Sequence, residues 1–392
     1  MITSRLPQVG TTIFTVMSAL ASRHQAVNLG QGFPDFDCDP ALIDAVTRAM
    51  KAGHNQYPPM AGWPRLREAI ASKIATIYGH GYDPETEITV TAGATQALLT
   101  AILALIQPGD EVIVIEPAYD SYVPAIRLAG GQPVFVQMQA PTAAHARFSI
   151  PWDEVRQAVT SRTRLIIVNS PHNPTGMTMR DGDLRALEEI ATEHALYVLS
   201  DEVYEHMVFD GLRHESVSRY PSLAERSVVV SSFGKTFHVT GWKVGYAAAP
   251  RALSEEFRKV HQFNVFTVNT PMQAAIAEYL ANPSAWLELP AFYQAKRDFF
   301  RDGLAATRFK LLPAEGTYFQ TVDFGAIRED LSESDFCSWL TSDIGVAAIP
   351  LSAFQESPRR SDNGANDERL IRFCFGKKEE TLTRALERLA AI

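Results

Sequence analysis

Between residues 87 and 246 the chain repeats one pattern, a short β-branched or apolar run followed by a stretch of helical periodicity. The runs are Ile88-Thr89-Val90, Val112-Ile113-Val114-Ile115, Leu165-Ile166-Ile167-Val168, Tyr197-Val198-Leu199 and Val228-Val229-Val230, with helical segments such as 96–106 and 183–194 between them. Strands this uniformly apolar have no wet face, so they predict a largely parallel sheet with helices on both sides. Such sheets bind ligands beyond the C-terminal ends of their strands. The residues that follow the runs have suitable chemistry: Gly93-Ala94-Thr95, Pro117-Ala118-Tyr119, Asn173-Pro174-Thr175-Gly176, Asp201-Glu202-Val203-Tyr204, and Ser232 with Lys235. Any one of them reads as a turn. Together, each at a strand end, they read as one site.

A chain of 392 residues, 46% of them hydrophobic, can bury a substantial core and suggests two domains. From about residue 271 the helical patterns lengthen and the strands shorten, which predicts a second, smaller domain joined by the N-terminal segment. The expected division is an N-terminal segment 1–30 packing on the small domain and the site, a large domain 31–275, and a small domain 276–392. Residues 355–369, rich in Ser, Asn, Asp, Arg and Gly, predict an exposed loop. Arg5 precedes an apolar stretch ending in Ala19-Leu20-Ala21, superficially like a secretory signal. Thr15 and Ser18 break that stretch, whereas Ile13, Val16, Met17 and Leu20 fall on one face of a helix that Thr11 or Thr12 could cap. No segment approaches the roughly 20 apolar residues of a membrane span. A net charge of −9 and a pI near 5.6 disfavour nucleic acid or an anionic membrane as partner. Cys38, Cys337 and Cys374 have no metal or disulfide spacing, so no metal is expected and a reducing cytoplasm is the simplest location.

The densest chemistry is Ser231-Ser232-Phe233-Gly234-Lys235-Thr236-Phe237-His238-Val239-Thr240-Gly241-Trp242-Lys243. A strand runs into small and hydroxyl residues, then a lysine, then a second cation. Most lysines are solvated surface charges; one at a strand end beside anion-binding groups is placed to act as a nucleophile.

These motifs, from Asn28-Leu29-Gly30-Gln31-Gly32-Phe33-Pro34-Asp35-Phe36 to Ile371-Arg372-Phe373-Cys374-Phe375-Gly376-Lys377, resemble the class I aminotransferases of the aspartate aminotransferase superfamily. Within these the resemblance is strongest to the methionine and kynurenine (glutamine–phenylpyruvate) aminotransferases. It implies the pyridoxal-phosphate-dependent fold type I: an α/β large domain with a mostly parallel seven-stranded sheet covered by helices, plus a smaller α+β domain. The implied cofactor is pyridoxal 5'-phosphate. Lys235 would be joined to it and would move the substrate Cα proton, which calls for a depressed pKa. Asp201 would pair with the ring nitrogen, Tyr204 and Asn173 would donate to the phenolic oxygen, and Tyr119 would stack on the ring. Gly93, Ala94 and Thr95 at a helix start would hold the phosphate, with Ser232 and Lys243. Lysine stands at 243 where many relatives have arginine; it supplies charge without a bidentate fork, as is usual among the kynurenine-type members. Glu202, one residue from Asp201, would face the other way and be structural.

Arg372 would grip the substrate α-carboxylate, with Asn173 and the backbone at Gly32 close by, and closure of the small domain would complete the site. Tyr57 is expected to reach the phosphate of a neighbouring subunit, which makes the enzyme a homodimer with shared sites. Phe14, Tyr57 and Tyr119, with Phe33 and Phe266, would wall the entrance. No arginine matches the one that aspartate-specific members bring from the partner subunit. Such walls favour a long apolar or aromatic side chain, methionine first, then phenylalanine, tyrosine, histidine, glutamine and kynurenine. The implied reaction is ping-pong transamination of an L-amino acid and a 2-oxo acid. The alternative is a kynurenine/glutamine aminotransferase with cysteine-S-conjugate β-lyase activity. A transcription regulator carrying the same module would need a DNA-binding domain, and the about 28 residues before Gly30-Gln31-Gly32 contain no basic recognition helix.

Overall fold

The computed structural model describes residues 2–142, 145–357 and 369–392. Most of the expected loop 355–369 lies outside these residues. The main sheet has seven strands: Ile88–Thr91 (β1), Glu111–Glu116 (β2), Gln132–Gln137 (β3), Thr163–Asn169 (β4), Tyr197–Asp201 (β5), Ser227–Ser232 (β6) and Gly245–Ala248 (β7). Their order is β1-β7-β6-β5-β4-β2-β3, with β7 antiparallel to both its neighbours and every other pairing parallel. Alternate residues of one strand enter different cores. Ile113, Ile115, Ile166, Val168, Val198 and Val229 join the cluster on one face, and Val112, Val114, Leu165, Ile167, Leu199, Val228 and Val230 the cluster on the other. Each fully buried side chain of this size contributes about 1.5–3 kcal/mol, so both faces must be covered. That is the physical content of the unbroken apolar runs.

Two strands carry no such signal. Strand β3 is an edge with a half-exposed pattern and a proline, and β7 reads Gly-Tyr-Ala-Ala.

A second sheet contains Lys310–Leu311 (β8), Phe319–Asp323 (β9), Ile349–Pro350 (β10) and Leu370–Cys374 (β11), in the antiparallel order β10-β11-β9-β8. The N-terminal part of the chain joins this region: Val27–Asn28 pairs in parallel with Val346–Ala347. The preceding helix, Ile13–His24, starts at Thr12, whose hydroxyl accepts from Thr15 N at 3.4 Å. Its inner face is Met17 and Ala21, with Ile13 and Leu20 partly covered. Val16, expected on that face, is exposed, because the packing line runs nearer Met17 and Ala21. All three cysteines are free thiols, and Cys337 and Cys374 are buried. No helix among the described residues is long and apolar enough to cross a membrane.

Candidate active site

The C-terminal ends of β1, β2, β4, β5 and β6 and the start of β7 meet at one edge of the sheet, because β7 runs opposite to the rest. After β1, helix Gly93–Leu105 begins with Ala92 as its cap, no capping side chain and no acidic residue in its first turn. The first-turn amides of Gly93, Ala94 and Thr95 are therefore free to receive an anion at the positive end of the helix dipole. The Lys243 amine lies 3.4 Å from where a Cβ on Gly93 would sit, and Lys243 holds a left-handed backbone, φ 54°. A non-glycine residue kept there aims its cation at the cost of local strain. Strand β7 must then pass the same helix end. A Cβ on Gly245 would stand 2.6 Å from the Ser231 carbonyl oxygen and 3.2 Å from Ala94 N, so only glycine fits. Ser232 and Thr240 line this end as well.

Asp201 ends β5 in register with Asn169 of β4, whose side-chain amide donates to the Asp201 carbonyl at 2.8 Å. The Tyr122 hydroxyl donates to Asp201 Oδ2 at 2.7 Å. Burial pushes the carboxyl up to about 6 against the pull of that hydrogen bond. A buried carboxylate with one strong donor is poised to accept a cationic partner. Glu202 faces the other way, as expected, and accepts from Ser200 Oγ, Val217 N and His214 Nε2.

Lys235 sits in the helical turn Phe233–Thr236 that follows β6. Its Nζ donates to the Gly32 carbonyl at 3.0 Å and to the Tyr318 hydroxyl at 2.9 Å. Burial is the main cause that brings its pKa down to about 8; Arg372 and Lys243 add to this while Asp201 opposes. An appreciable share of neutral amine at mildly alkaline pH follows, as a nucleophile or base requires. Tyr204 is buried with its ring 5.2 Å from that of Tyr318, and burial raises its phenol.

Arg372, in β11 opposite Thr321, is 1% exposed. It donates to Asn173 Oδ1 at 2.6 Å and to the Gly30 carbonyl at 2.9 Å, and its guanidinium lies 3.8 Å from the centre of the Phe319 ring. Phe354 and Phe14 flank it at 5.0 and 5.5 Å. It forms no ion pair among the described residues, its Nε has no partner, and burial lowers its pKa to about 10. An unpaired guanidinium buried among aromatic rings is an open invitation to a carboxylate.

Lys235, Asp201, Tyr204, Gly93, Ala94, Thr95, Tyr119, Asn173, Ser232, Lys243, Gly32, Phe14 and Arg372 all line one cavity. Tyr57 does not. Its ring is 81% exposed and packs edge-on against Phe266 at 5.5 Å. Phe266 has a left-handed φ of 68° beyond helix Arg251–Asn264, and Phe33 is exposed beside the Lys377 ammonium. Within one chain the expected aromatic entrance is therefore made by Phe14 and Tyr119 and not by Tyr57, Phe33 or Phe266. The cavity also takes Gln31, Leu98, Asn169, Val203, Thr240 and Phe319, and Tyr122 and Tyr318 touch Asp201 and Lys235 from behind. Tyr122 could have been found one turn beyond Tyr119. Nothing in the sequence marks Tyr318 or Phe319.

A model of the family "Aminotransferase class I and II" matches residues 24–389. The methionine aminotransferase of Escherichia coli K12 is 51% identical over 98% of this chain and 97% of its own length. A crystal structure described as identifying a methionine aminotransferase function in E. coli superposes with a TM-score of 0.95 at 50% identity, covering both chains fully. The "Probable N-succinyldiaminopimelate aminotransferase" of Mycobacterium tuberculosis is 43% identical over 100% of this chain and 98% of its own. Human kynurenine–oxoglutarate transaminase 1 is 35% identical over 94% and 93%.

Proposed function

We propose that this chain, which belongs to the class I and II aminotransferases and is thus an amino-group-transferring enzyme, prefers methionine as donor and also takes aromatic and other large amino acids. One observation carries the reading. A half-buried amine, a buried carboxylate, an uncapped helix N-terminus with its lysine, and a buried unpaired guanidinium face a single cavity.

The residues fit pyridoxal 5'-phosphate. The amides of Gly93, Ala94 and Thr95 with Ser232, Thr240 and Lys243 would hold its phosphate, and Asp201, oriented by Tyr122, would hold its ring nitrogen. Tyr119 would cover the ring. Asn173 keeps its amide N–H groups for the phenolic oxygen beside Tyr204, since its Oδ1 already accepts from Arg372. When bound, the group supplies an electron sink that lets a substrate Cα–H ionise. The protein does the rest. Arg372 takes the α-carboxylate and so sets which Cα bond faces Lys235. The Lys235 amine, once free, takes the Cα proton and later returns it, and its lowered pKa makes both transfers feasible near neutral pH.

Among the described lining residues Arg372 is the one guanidinium, and Phe14, Tyr119, Tyr204 and Phe319 are the aromatic ones. This supports neutral, bulky side chains over dicarboxylic ones. The reading includes ping-pong turnover with a 2-oxo acid, a cytoplasmic location, and the domain division 1–30, 31–275 and 276–392. It also includes a homodimer in which Tyr57, exposed beside Phe266, reaches the partner's site.

The test is a half-reaction absorbance scan with single amino acids and no acceptor. Fast conversion by methionine and aromatic amino acids is expected. Conversion by aspartate alone would discard the specificity. Faster conversion by kynurenine or glutamine, with pyruvate released from a cysteine S-conjugate, would replace it by the kynurenine-type, β-lyase-competent reading. A protein that binds no pyridoxal phosphate would refute the whole assignment.

A further inference from the structure

We infer that Tyr318 is a catalytic residue: with the Gly32 carbonyl it forms the cradle that holds the Lys235 amine while substrate displaces it. The inference rests on the role of Lys235 proposed above.

Three contacts close a triangle. Lys235 Nζ donates to Tyr318 Oη at 2.9 Å and to Gly32 O at 3.0 Å, and the Tyr318 hydroxyl donates to the same carbonyl at 2.6 Å. The two acceptor corners are held independently of the amine. Tyr318 is fully buried and follows Thr317, a β-branched residue at φ 66° whose amide is tied to the Met207 carbonyl at 2.9 Å. Such a residue in left-handed backbone is a true outlier, and strain of this kind gathers where a side chain must be aimed. Gly32 is pinned by the next residue along: a Cβ there would stand 2.9 Å from Phe319 Cζ.

The chemistry gives the triangle a task. On taking the substrate Cα proton, the neutral amine becomes an ammonium with three N–H donors. Two find acceptors in Tyr318 and Gly32, and the third proton remains to be delivered, which returns the amine to its neutral form. With Gly32 alone the amine could swing away from the substrate. Packing does not require the hydroxyl at this place. The neighbouring Tyr293, its ring 5.8 Å from that of Tyr318, is equally buried and its own hydroxyl has no partner.

The test compares Tyr318→Phe with Tyr293→Phe in two assays. In the holoenzyme, the methionine half-reaction at saturating substrate should slow about ten- to hundredfold in Tyr318→Phe, the worth of a hydrogen bond to a charged donor. Its half-saturation should stay unchanged, and Tyr293→Phe should match wild type. In cofactor-free protein, the pH dependence of Lys235 acylation by an amine-reactive reagent should show a lower apparent pKa in Tyr318→Phe, because a lost acceptor disfavours the ammonium. Asp201, Arg372, Lys243 and Cys374, the other groups acting on that amine, are unchanged in the variant. Unaltered rate and unaltered titration would overturn the inference. If Tyr318→Phe does not fold, Tyr318→Leu, also without an acceptor, is read in the same assays. If wild type converts no amino acid, the functional reading fails, while the acylation profile still decides the contact.

Discussion

Replacing Asp201 by asparagine should stabilise the cofactor-free protein at pH 8 while sharply slowing turnover of the holoenzyme. Burial raises this carboxyl to about 6 from an ordinary value near 3.8. At about 1.4 kcal/mol per unit, keeping it ionised in the fold costs roughly 3 kcal/mol above pH 6. The sign follows from the raised folded value: stability is intact below about pH 4, falls as pH climbs to 6, and is then level. Asparagine imitates the uncharged acid at every pH. It can still accept from Tyr122 but sets its NH2 against the Val203 amide, a loss of about 1 kcal/mol. The net gain is thus about 2 kcal/mol at pH 8 and near zero at pH 4.5, where the wild-type penalty has shrunk to about 1 kcal/mol. Over 392 residues the unfolding entropy is about 0.8 kcal/mol/K, so the midpoint should rise about 2–3 °C at pH 8 and hardly at all at pH 4.5. Thermal unfolding of cofactor-free protein at the two pH values measures this, and the methionine half-reaction should show about a hundredfold loss. A variant equally destabilised at both pH values would refute the reasoning, since Asp201 would then already be compensated in the empty fold.

Three further outcomes are expected. Arg372→Lys should raise the half-saturation for methionine about ten- to hundredfold in half-reaction kinetics, because lysine cannot keep Asn173 and Gly30 and also grip a carboxylate with two parallel bonds. Gly245→Ala should weaken pyridoxal phosphate binding in equilibrium dialysis by about tenfold or more, since the added methyl must push β7 off the start of helix Gly93–Leu105. Glu205→Gln should destabilise the protein by about 3–5 kcal/mol in urea unfolding, and Lys73→Met with Glu205→Gln by less. The Lys73–Glu205 pair, 2.6 Å apart and buried, leaves a stranded ammonium when only one charge is removed.

The readable elements share a physical reason. A parallel strand buried on both faces must be apolar at every position, so β2, β4, β5 and β6 announce themselves in a single window of sequence. The residues after them are legible because the sheet's own direction gathers its C-terminal ends. By contrast, β7 is built of glycine, tyrosine and alanine because it slides past a helix end, and that need exists only once the helix is in place. Periodicity alone puts Val16 on the inner face of its helix, whereas the face is chosen by the packing partner. Tyr57 and Phe266 read as entrance residues but pack on each other at the surface of this chain.

By itself, then, the sequence determined five of the seven strands of the main sheet and the edge at which Gly93, Asp201, Ser232 and Lys235 lie, because these depend on local pattern and residue type, while Arg372 was legible only through the family resemblance. Tertiary structure alone decided what sets their chemical state. The burial that brings Lys235 to about 8 and Asp201 to about 6 comes from segments far apart in the chain, as do the Tyr122 and Tyr318 hydroxyls that touch them and the aromatic rings around Arg372. A residue's kind is written in the chain; its solvent, its neighbours and hence its pKa are made by folding.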